Sequence, residues 1–590
     1  MKENQTPAVI ANMSGFYGDR FSAAKEMVEG GPIDYLTGDY LAELTMAILY
    51  KAKAKRPDAG YAVSFLKQME GIMGTCLDKN IKVVVNAGGL NPSGLANALK
   101  SLATTLKVHP KIAYIEGDNL MPKLSELRKE GAELKHLEKN ITLADSGLMP
   151  VSANAYLGCW GIAEALDKGA DIVVTGRVAD TSVVMGPAAH HFGWGKEDWD
   201  ALAGAATVGH IIECGGQATG GNYAFFEEVP SFENVGFPLA EIHSDGSAVI
   251  TKHPGTGGIV NKGTVTAQLL YEINAPQYIT PDVVAHFETI ELTDDGKDRV
   301  RVRGVQGSPA TDSAKVTVNG MAGFQNSMTF HIVGMDIDKK AEILKQGFLK
   351  SVGGEKAFDK IDIQLFKNNT DDLKSNEEGF STMRISVVDQ DSRKAGKFFT
   401  SKLIEMALCT VPGWCISNPP EPAKPRIVHF PALIDKSFLN QTIHIEEQVI
   451  ELPELKGGGS SHPTSKNADF QNPKINFTDT EIMRLGEVYA ARSGDKGGNA
   501  NVGIWGKTAE SYSFLYENLT VEKIKELLPD TSPFEIIRYE FPNLFGLNFY
   551  IKGFLQEGVA ASTKMDAQAK TLGEYLRFQK MKIPTHLKRT

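Results

Sequence analysis

The chain has 590 residues and a net charge of −10, with 23% charged and 8% aromatic residues. This composition is typical of a folded protein, the length predicts two or three domains, and the acidic balance argues against a nucleic-acid partner. No apolar run approaches the ~18 residues that cross a bilayer, and the polar start of the chain predicts no secretion signal. Five scattered cysteines without a CxxC pair indicate reduced thiols, so we expect a cytoplasmic protein without a membrane partner.

Predicted strands and helices alternate through the first third of the chain. Apolar runs predict five buried strands, at about 8–13, 32–37, 81–85, 111–115 and 170–174. Helical patterns follow three of them, at 20–29, at 40–53 and from about 93. This alternation predicts an α/β fold with a mostly parallel sheet and flanking helices.

Each of the five predicted strands ends in glycine together with polar or charged residues. These residues are Ser14, Asp19, Arg20, Asp39, Asn86, Gly88, Gly89, Glu116, Asp118, Arg177 and Asp180. The carboxyl ends of parallel strands meet at one edge of a sheet, where ligands bind, so we expect one polar pocket. The alternative is that each acid or amide only caps its own helix, which needs no chemistry.

The predicted pocket lacks the fingerprints of nucleotide-binding proteins, since neither GxxxxGK[ST] nor GxGxxG follows a strand. Its carboxylates suit a divalent cation such as Mg²⁺ or Mn²⁺, substrate hydroxyl groups, or acid–base catalysis. The residues do not separate these options. The cofactor is therefore left open, with a divalent cation as one expectation.

Two glycine-rich segments, 209–223 and 252–258, indicate close backbone approach to a ligand or, alternatively, irregular surface loops. His210 and Glu213 are candidates for acid–base catalysis. Cys214 is a candidate nucleophile that would need a base nearby in space. The binding candidates from these segments and from the region before them are Asn154, Gly215, Gly216, Asn222 and Lys252.

From about Asp282 the pattern changes to antiparallel strands and predicts an α+β lobe that completes a first domain, 1–455. The predicted strands of the lobe are 283–292, 299–304, 314–319, 327–333, 361–366 and 383–388. The predicted helices of the lobe are 339–351 and 394–409.

A flexible linker is predicted at 456–475, followed by a small α/β domain at 476–590. A strand of this domain runs into a polar turn at 491–501, which contains Arg492, Asp495 and Lys496. Helices are predicted at 511–518, at 521–528 and from about 566, with strands at 534–541 and 547–555. The turn is similar in composition to residues 14–20, so we expect the small domain to help close the same pocket.

Several of these segments resemble the signature blocks of the acyclic terpene utilisation protein A (AtuA) family. The blocks are 12–20, 34–43, 86–92, 176–180, 209–222 and 252–258, and 491–501 resembles the family's small ferredoxin-like C-terminal domain. The resemblance implies a place in the bacterial catabolism of citronellol and geraniol through CoA thioesters. It also implies CoA as part of the substrate and an association with acyl-CoA carboxylase subunits, but no catalytic residue set.

We expect an enzyme of the lyase, hydratase or isomerase type that acts on an acyl-CoA or branched-acid small molecule, within a homo-oligomer. Asp19, Asp118, His210 and Glu213 are the catalytic candidates. Arg20, Arg177, Lys252, Arg492 and Lys496 are the candidates for holding anionic groups. The alternatives are a non-catalytic binding subunit of an acyl-CoA carboxylase and a metal-dependent hydrolase.

Overall fold

A computed structural model describes residues 6–370, 372–454, 457–458 and 479–589. The predicted linker lies outside the described residues apart from Gly457 and Gly458, so it stays a prediction. The elements up to residue 269 are β1 (Ala8–Asn12), α1 (Ala23–Gly30), β2 (Tyr35–Gly38), α2 (Glu43–Lys55), α3 (Val63–Asp78), β3 (Lys82–Val85), α4 (Pro92–Leu106), β4 (Ile112–Glu116), α5 (Leu124–Lys129), β5 (Lys135–His136), β6 (Met149–Ala155), α6 (Trp160–Asp167), β7 (Ile172–Thr175), α7 (Ser182–Phe192), α8 (Trp199–Ile212), β8 (Pro238–Ile242), β9 (Ala248–Lys252) and α9 (Lys262–Leu269).

The remaining elements divide at the undescribed segment before residue 479. Those before it are β10 (Gln277–Ile279), β11 (Val283–His286), β12 (Glu291–Asp294), β13 (Val300–Arg303), β14 (Gln306–Pro309), β15 (Ser313–Ile332), α10 (Ile337–Val352), β16 (Lys360–Phe366), β17 (Ser381–Asp389), α11 (Phe399–Ile404), β18 (Trp414–Ile416), β19 (Lys424–Asp435), β20 (Asn440–Ile445) and β21 (Gln448–Pro453). Those after it are β22 (Thr480–Arg484), β23 (Ala490–Lys496), β24 (Asn499–Trp505), α12 (Ala509–Asn518), α13 (Val521–Leu527), β25 (Ile536–Phe541), β26 (Gly546–Ile551), α14 (Leu572–Phe578) and β27 (Lys580–Pro584).

The large sheet has the strand order β12-β13-β9-β8-β1-β2-β3-β7-β4-β20-β21. Its five central strands, β1, β2, β3, β7 and β4, are parallel, and the strands on either side are antiparallel. The valines of β3 are fully buried because helices cover both faces of the parallel part. The predicted α/β class is thus confirmed, and the five predicted strand ends lie at one edge of one sheet.

The lobe is built on a second sheet with the order β16-β17-β15-β19-β5, and β6 and β18 also pair with β15. The two strands predicted at 314–319 and 327–333 are wrong as separate strands, because β15 runs continuously through both. Gly323, with φ of +82°, lies where the pairing register with β19 shifts between Met321 and Phe324. This bulge lies in the gap that the sequence analysis left between the two predicted strands. The helix predicted at 394–409 ends earlier, because a π-helix at Lys394–Phe398 continues into α11, which ends at Ile404.

The C-terminal domain has a four-stranded antiparallel sheet, β23-β24-β26-β25, which packs with α12, α13 and α14 around its own hydrophobic core. The polar turn predicted at 491–501 is wrong, since most of it forms β23 and β24 of a hairpin that turns at Gly497 and Gly498. The last helix begins at Leu572 and not near Asp566. Across the described chain, none of the helices combines the length and apolar character that a membrane crossing requires.

Candidate functional site

The carboxyl ends of the five parallel strands place several predicted residues side by side. Asn86, after β3, donates from Nδ2 to Asp39 Oδ1 at 2.5 Å, and Asp39, after β2, donates from its backbone N to Ser14 O at 2.9 Å. After β7, the backbone N of Arg177 donates to Oδ2 of Asp118, after β4, at 2.9 Å. The predicted meeting of distant polar residues at this edge is therefore present.

Arg177 is the buried cation of this edge, with 3% of its side chain exposed. Its Nη1 donates to Leu41 O at 2.7 Å, and its Nη2 lies 3.0 Å from Asp180 Oδ1. The guanidinium also packs 4.1 Å from the ring centre of Tyr156. A buried guanidinium is tolerated only where partners satisfy its charge and its donors, so Arg177 and Asp180 hold each other in place.

The end of α8 brings His210 and Glu213 to the same edge. His210 Nδ1 lies 3.1 Å from Glu213 Oε1, and the two residues are 3% and 8% exposed. Asn12 Nδ2 donates to Glu213 O at 3.2 Å. A Cβ on Gly15 would lie 2.8 Å from the Cα of Cys214, so only glycine lets the loop after β1 approach this segment so closely.

We call Asp39, Arg177, Asp180, His210 and Glu213 the acid–base centre. Burial raises the pKa of Glu213 well above its usual range, and the charges of Asp180 and Glu272 add to this shift. Burial and the neighbouring Asp180 likewise raise the pKa of Asp39, while Arg177 opposes the shift. Burial, helped by Lys496, lowers the pKa of His210 to about 4. Both shifts favour the neutral forms, a carboxylic acid at Glu213 and an imidazole at His210.

The C-terminal domain forms one wall of this region through its β23–β24 hairpin. Arg492 donates to Gln217 and lies 4.5 Å from the ring centre of Tyr271. Lys570, just before α14, donates to Glu272 Oε1 at 2.7 Å.

The Nζ of Lys570 also lies 3.3 Å from Asp495 Oδ1. The charge of Lys496 acts on both His210 and Glu213. Residues from the hairpin that the sequence singled out thus reach the edge of the large sheet.

Glu272 is a charged residue of this region that the sequence reasoning missed. It has a left-handed backbone with φ of +54°, and its N–H donates to Asn501 Oδ1 at 2.9 Å. Asn501 in turn donates from Nδ2 to Leu270 O at 2.7 Å and to Asn548 Oδ1 at 2.9 Å. Burial acts to raise the pKa of Glu272, but Lys570, Tyr271 and Lys496 together outweigh it, so the pKa is lowered. No local sequence motif indicates this residue, because its contacts are with residues of the C-terminal domain.

Asp19 and Arg20 bond mainly within their own loop and its surroundings. Asp19 accepts hydrogen bonds from the backbone N of Gly15 and of Arg20, each at 2.7 Å. Arg20 Nη2 donates to Glu26 Oε2 at 2.7 Å and to Val235 O at 2.6 Å. Their predicted catalytic and binding roles stay predictions. Nε of Arg20 is buried and has no hydrogen-bond partner among the described residues.

Asp118 and Asn154 support the loop that carries Arg177. Asn154 Nδ2 donates to Asp118 Oδ2 at 2.7 Å, and burial raises the pKa of Asp118 to about 6. A Cβ on Gly176 would lie 2.4 Å from Asp118 Oδ1, so the strand-end glycine is required for this approach. Asp118 is therefore placed to position Arg177.

Two predicted binding residues make their contacts away from the acid–base centre, and a third is exposed. Glu116 Oε2 lies 3.3 Å from His444 Nε2, and Lys252 Nζ donates to Thr256 O at 2.9 Å. Asn222 is exposed, with a left-handed backbone.

Three of the four predicted glycines are close-approach positions. A Cβ would lie 2.5 Å from Thr175 O at Gly88, 2.3 Å from Leu49 Cδ1 at Gly89 and 2.7 Å from Phe237 Cε1 at Gly215. At Gly216 a Cβ would only make an ordinary contact, 3.6 Å from Val235 Cγ1.

Two of the alternatives depend on a thiolate or on a metal. Burial raises the pKa of the Cys214 thiol well above its usual range, which disfavours the thiolate that a nucleophile requires. In the part of the chain that the structure describes, no group of three or more His, Cys, Asp or Glu side chains is arranged to hold a metal ion.

Two family models match the chain. A family model described as "Acyclic terpene utilisation family protein AtuA" matches residues 8–445, and one described as "AtuA ferredoxin-like domain" matches residues 483–582. A search among curated proteins finds no match. The two matched ranges correspond to the large sheet with its lobe and to the C-terminal domain.

Proposed function

Because the chain belongs to the AtuA family of acyclic terpene utilisation, we propose that it is a catabolic enzyme of the lyase, hydratase or isomerase type. Its substrates in this proposal are acyl-CoA or branched-acid intermediates. The family description supports a role in acyclic terpene utilisation, and the acid–base centre supports proton-transfer chemistry. The proposal rests on one observation, which is the contact between His210 and Glu213.

Two atoms of this contact are left without hydrogen-bond partners in the described part of the chain. They are Nε2 of His210 and Oε2 of Glu213, and both are buried. A buried polar atom without a partner costs about 1–3 kcal/mol, so a site that keeps two of them gains when a ligand satisfies both. A substrate that reached both atoms would meet a proton acceptor at His210 and a proton donor at Glu213.

The proposed step is an elimination or its reverse. His210 Nε2, with its proton on Nδ1 towards Glu213, takes a proton from the carbon next to the substrate carbonyl. The electrons of that C–H bond form a C=C bond, and Glu213 gives its proton to the departing hydroxyl, so that water leaves. Hydration runs the same steps backwards, and a proton returned to a different carbon gives isomerisation.

Arg177 supplies the positive charge for this chemistry. Negative charge develops on the carbonyl oxygen when the neighbouring carbon loses its proton, and a preorganised buried cation stabilises it more strongly than water does. Asp118 and Leu41 hold Arg177 through the bonds to its backbone N and to its Nη1. The C-terminal hairpin covers the region and would help to exclude water.

The direct test is the Glu213→Gln variant, which keeps the shape of the side chain and removes the acid. We expect the rate of hydration of a branched enoyl-CoA, followed by the loss of its ultraviolet absorbance, to fall by about 100-fold or more. Glu29→Gln is the matched control, since Glu29 is 58% exposed and lies 3.8 Å from Lys25 in an exposed pair. Wild-type rates in Glu213→Gln, or no turnover of straight and branched thioesters by the wild type, would contradict the proposal.

A further inference from the structure

Tyr278, in the middle of β10, packs against the histidine of the acid–base centre. Its ring centre lies 4.8 Å from that of His210, and the two ring planes are tilted by 44°. The Tyr278 ring also stacks on Phe287, with the ring centres 5.1 Å apart and the planes 9° apart. Ile279, the next residue of β10, is 47% exposed, as expected where side chains alternate along a strand. Because Phe287 is fully buried, core packing fixes the position of the Tyr278 ring.

The hydroxyl of Tyr278 makes no hydrogen bond within the part of the chain that the structure describes. Two buried tyrosines elsewhere do bond: the hydroxyl of Tyr40 donates to Gln68 Oε1 at 2.5 Å, and that of Tyr489 donates to Ser511 O at 3.1 Å. Packing against an imidazole needs only the aromatic ring, which phenylalanine would supply equally well. The fold therefore gives the Tyr278 ring a role and leaves its hydroxyl without one.

The hydroxyl lies in a recess beside the acid–base centre. Tyr278 is half-buried, yet burial is the largest cause that raises the pKa of its hydroxyl well above its usual range. The charges of Glu213 and Asp180 add to this shift, so they are close enough to act on the hydroxyl. Cys214 and Glu272 are also partly exposed, and burial is again the largest influence on their pKa values. These half-buried side chains therefore line a recess in the molecule that solvent enters.

The raised pKa determines what the hydroxyl can do. A phenol that keeps its proton at neutral pH donates a hydrogen bond and does not act as a base. The proposed elimination builds negative charge on the substrate's carbonyl oxygen. Arg177 acts on that charge from a position in which its Nη1 is bonded to Leu41 O and its Nη2 is paired with Asp180. A neutral donor that touches the oxygen directly would complete this stabilisation.

We propose, resting on the proposed function, that Tyr278 is a catalytic residue whose hydroxyl donates a hydrogen bond to the carbonyl oxygen of a thioester substrate. The hydroxyl keeps its proton throughout, so the proton balance between His210 and Glu213 is unchanged. The hydrogen bond strengthens as the oxygen gains negative charge, so it stabilises the transition state more than the bound substrate. Its loss should therefore lower kcat more than it raises KM.

The kinetic test uses Tyr278→Phe, which keeps the ring and its packing and removes only the hydroxyl. In the hydration of a branched enoyl-CoA we expect kcat to fall by about 100-fold, with KM changed by less than about threefold. The melting temperature should stay within about 2 °C of the wild type, because the lost hydroxyl makes no hydrogen bond in the fold. Tyr575→Phe is the matched control, since Tyr575 is 41% exposed on α14, and it should keep the wild-type kcat.

A binding measurement isolates the carbonyl oxygen. The wild type and both variants are titrated by calorimetry with 3-methylbutanoyl-CoA and with its thioether analogue, in which a CH₂ group replaces the carbonyl. Neither acyl part carries a double bond or a hydroxyl group, so neither ligand is turned over. We expect the wild type and Tyr575→Phe to bind the thioester about fivefold to tenfold more tightly than the thioether. In Tyr278→Phe the two affinities should agree within about twofold.

Three results overturn the role of Tyr278. They are a wild-type kcat in Tyr278→Phe, equal wild-type affinities for the two ligands, and a thioester preference that survives in Tyr278→Phe. The failure of the proposed chemistry looks different. The wild type would then hydrate no thioester, or Glu213→Gln would hydrate at the wild-type rate, while the thioester preference still disappears with the Tyr278 hydroxyl.

Discussion

Two glycine-rich polar segments of similar composition, residues 14–20 and the hairpin at 491–501, behave differently in the fold. In the first, Asp19 binds two backbone amides of its own loop, and Arg20 binds Glu26 and a neighbouring carbonyl group. In the second, Arg492 and Asp495 lie on a strand and bond to Gln217 and Lys570, far away in the sequence. The sequence predicted one role for both segments.

The difference comes from backbone conformation. A loop that turns sharply exposes several N–H groups, and a nearby carboxylate accepts them. The amides of a hairpin pair with the partner strand, so its side chains stay available for contacts with another domain. Polar composition therefore indicates a functional segment more strongly when the backbone is already hydrogen-bonded by its own strands.

The largest effect on stability should come from Asn501→Ala, which removes hydrogen bonds between the hairpin and the large domain. This change removes three hydrogen bonds, one of which the N–H of Glu272 donates to Asn501 Oδ1. Each contributes roughly 1 kcal/mol to the stability of the fold. We expect the unfolding transition of the full chain to fall by several degrees in scanning calorimetry. Asn518→Ala is the matched control, because Asn518 is exposed and bonds within α12 to Phe514 O. Equal shifts in the two variants would contradict the role of Asn501 in docking.

Asp118 can be compared with Asp19, because both carboxylates accept backbone hydrogen bonds from a loop, but Asp118 is fully buried. Its pKa is raised to about 6, so its contribution to folding is complete below the unfolded pKa and is lost as the pH rises through 6. The free energy of unfolding of Asp118→Asn, relative to that of the wild type, should therefore rise by about 2–3 kcal/mol as the pH is raised from 4 to 7. Denaturant unfolding across this range measures the difference, and a constant difference would contradict the buried-acid interpretation.

The smallest effect is expected at Asp19. Its contacts predict that Asp19→Asn weakens the loop by about 1 kcal/mol, because an amide oxygen replaces a carboxylate at two backbone N–H groups. Turnover should stay within about threefold of the wild type if Asp19 only holds its loop. A loss of about 100-fold with an intact fold would instead support the catalytic role that the sequence indicated.

Much of the large sheet could be predicted because its signals are local. Each central strand is a short apolar run followed by glycine and a polar residue, and α4 even shows Asn91 as its cap before Pro92. The lobe was harder to predict from the sequence. β6 lies in the first third of the chain yet pairs with β15, and nothing local in the sequence indicates that pairing.

The site was predictable in part for the same reason. Asp39, Asn86 and Arg177 follow strands, so the parallel order alone brings them together. His210 and Glu213 stood out through the surrounding glycines. Glu272 and Lys570 could not be found, because their contacts depend on how the C-terminal domain packs against the rest of the chain. A left-handed glutamate also has no sequence signal of its own.

The position of the lobe in the chain limits how the molecule can be taken apart. The chain leaves the large sheet after β13, near one edge, builds the lobe, and rejoins the sheet at β20, near the other. Eight strand spacings separate these points, or about 40 Å across the sheet. Inserted domains that can be excised usually have neighbouring ends that a short loop can rejoin. Here a truncated chain would need a bridge of roughly a dozen extended residues, so the lobe is a span built into the architecture and not a detachable module.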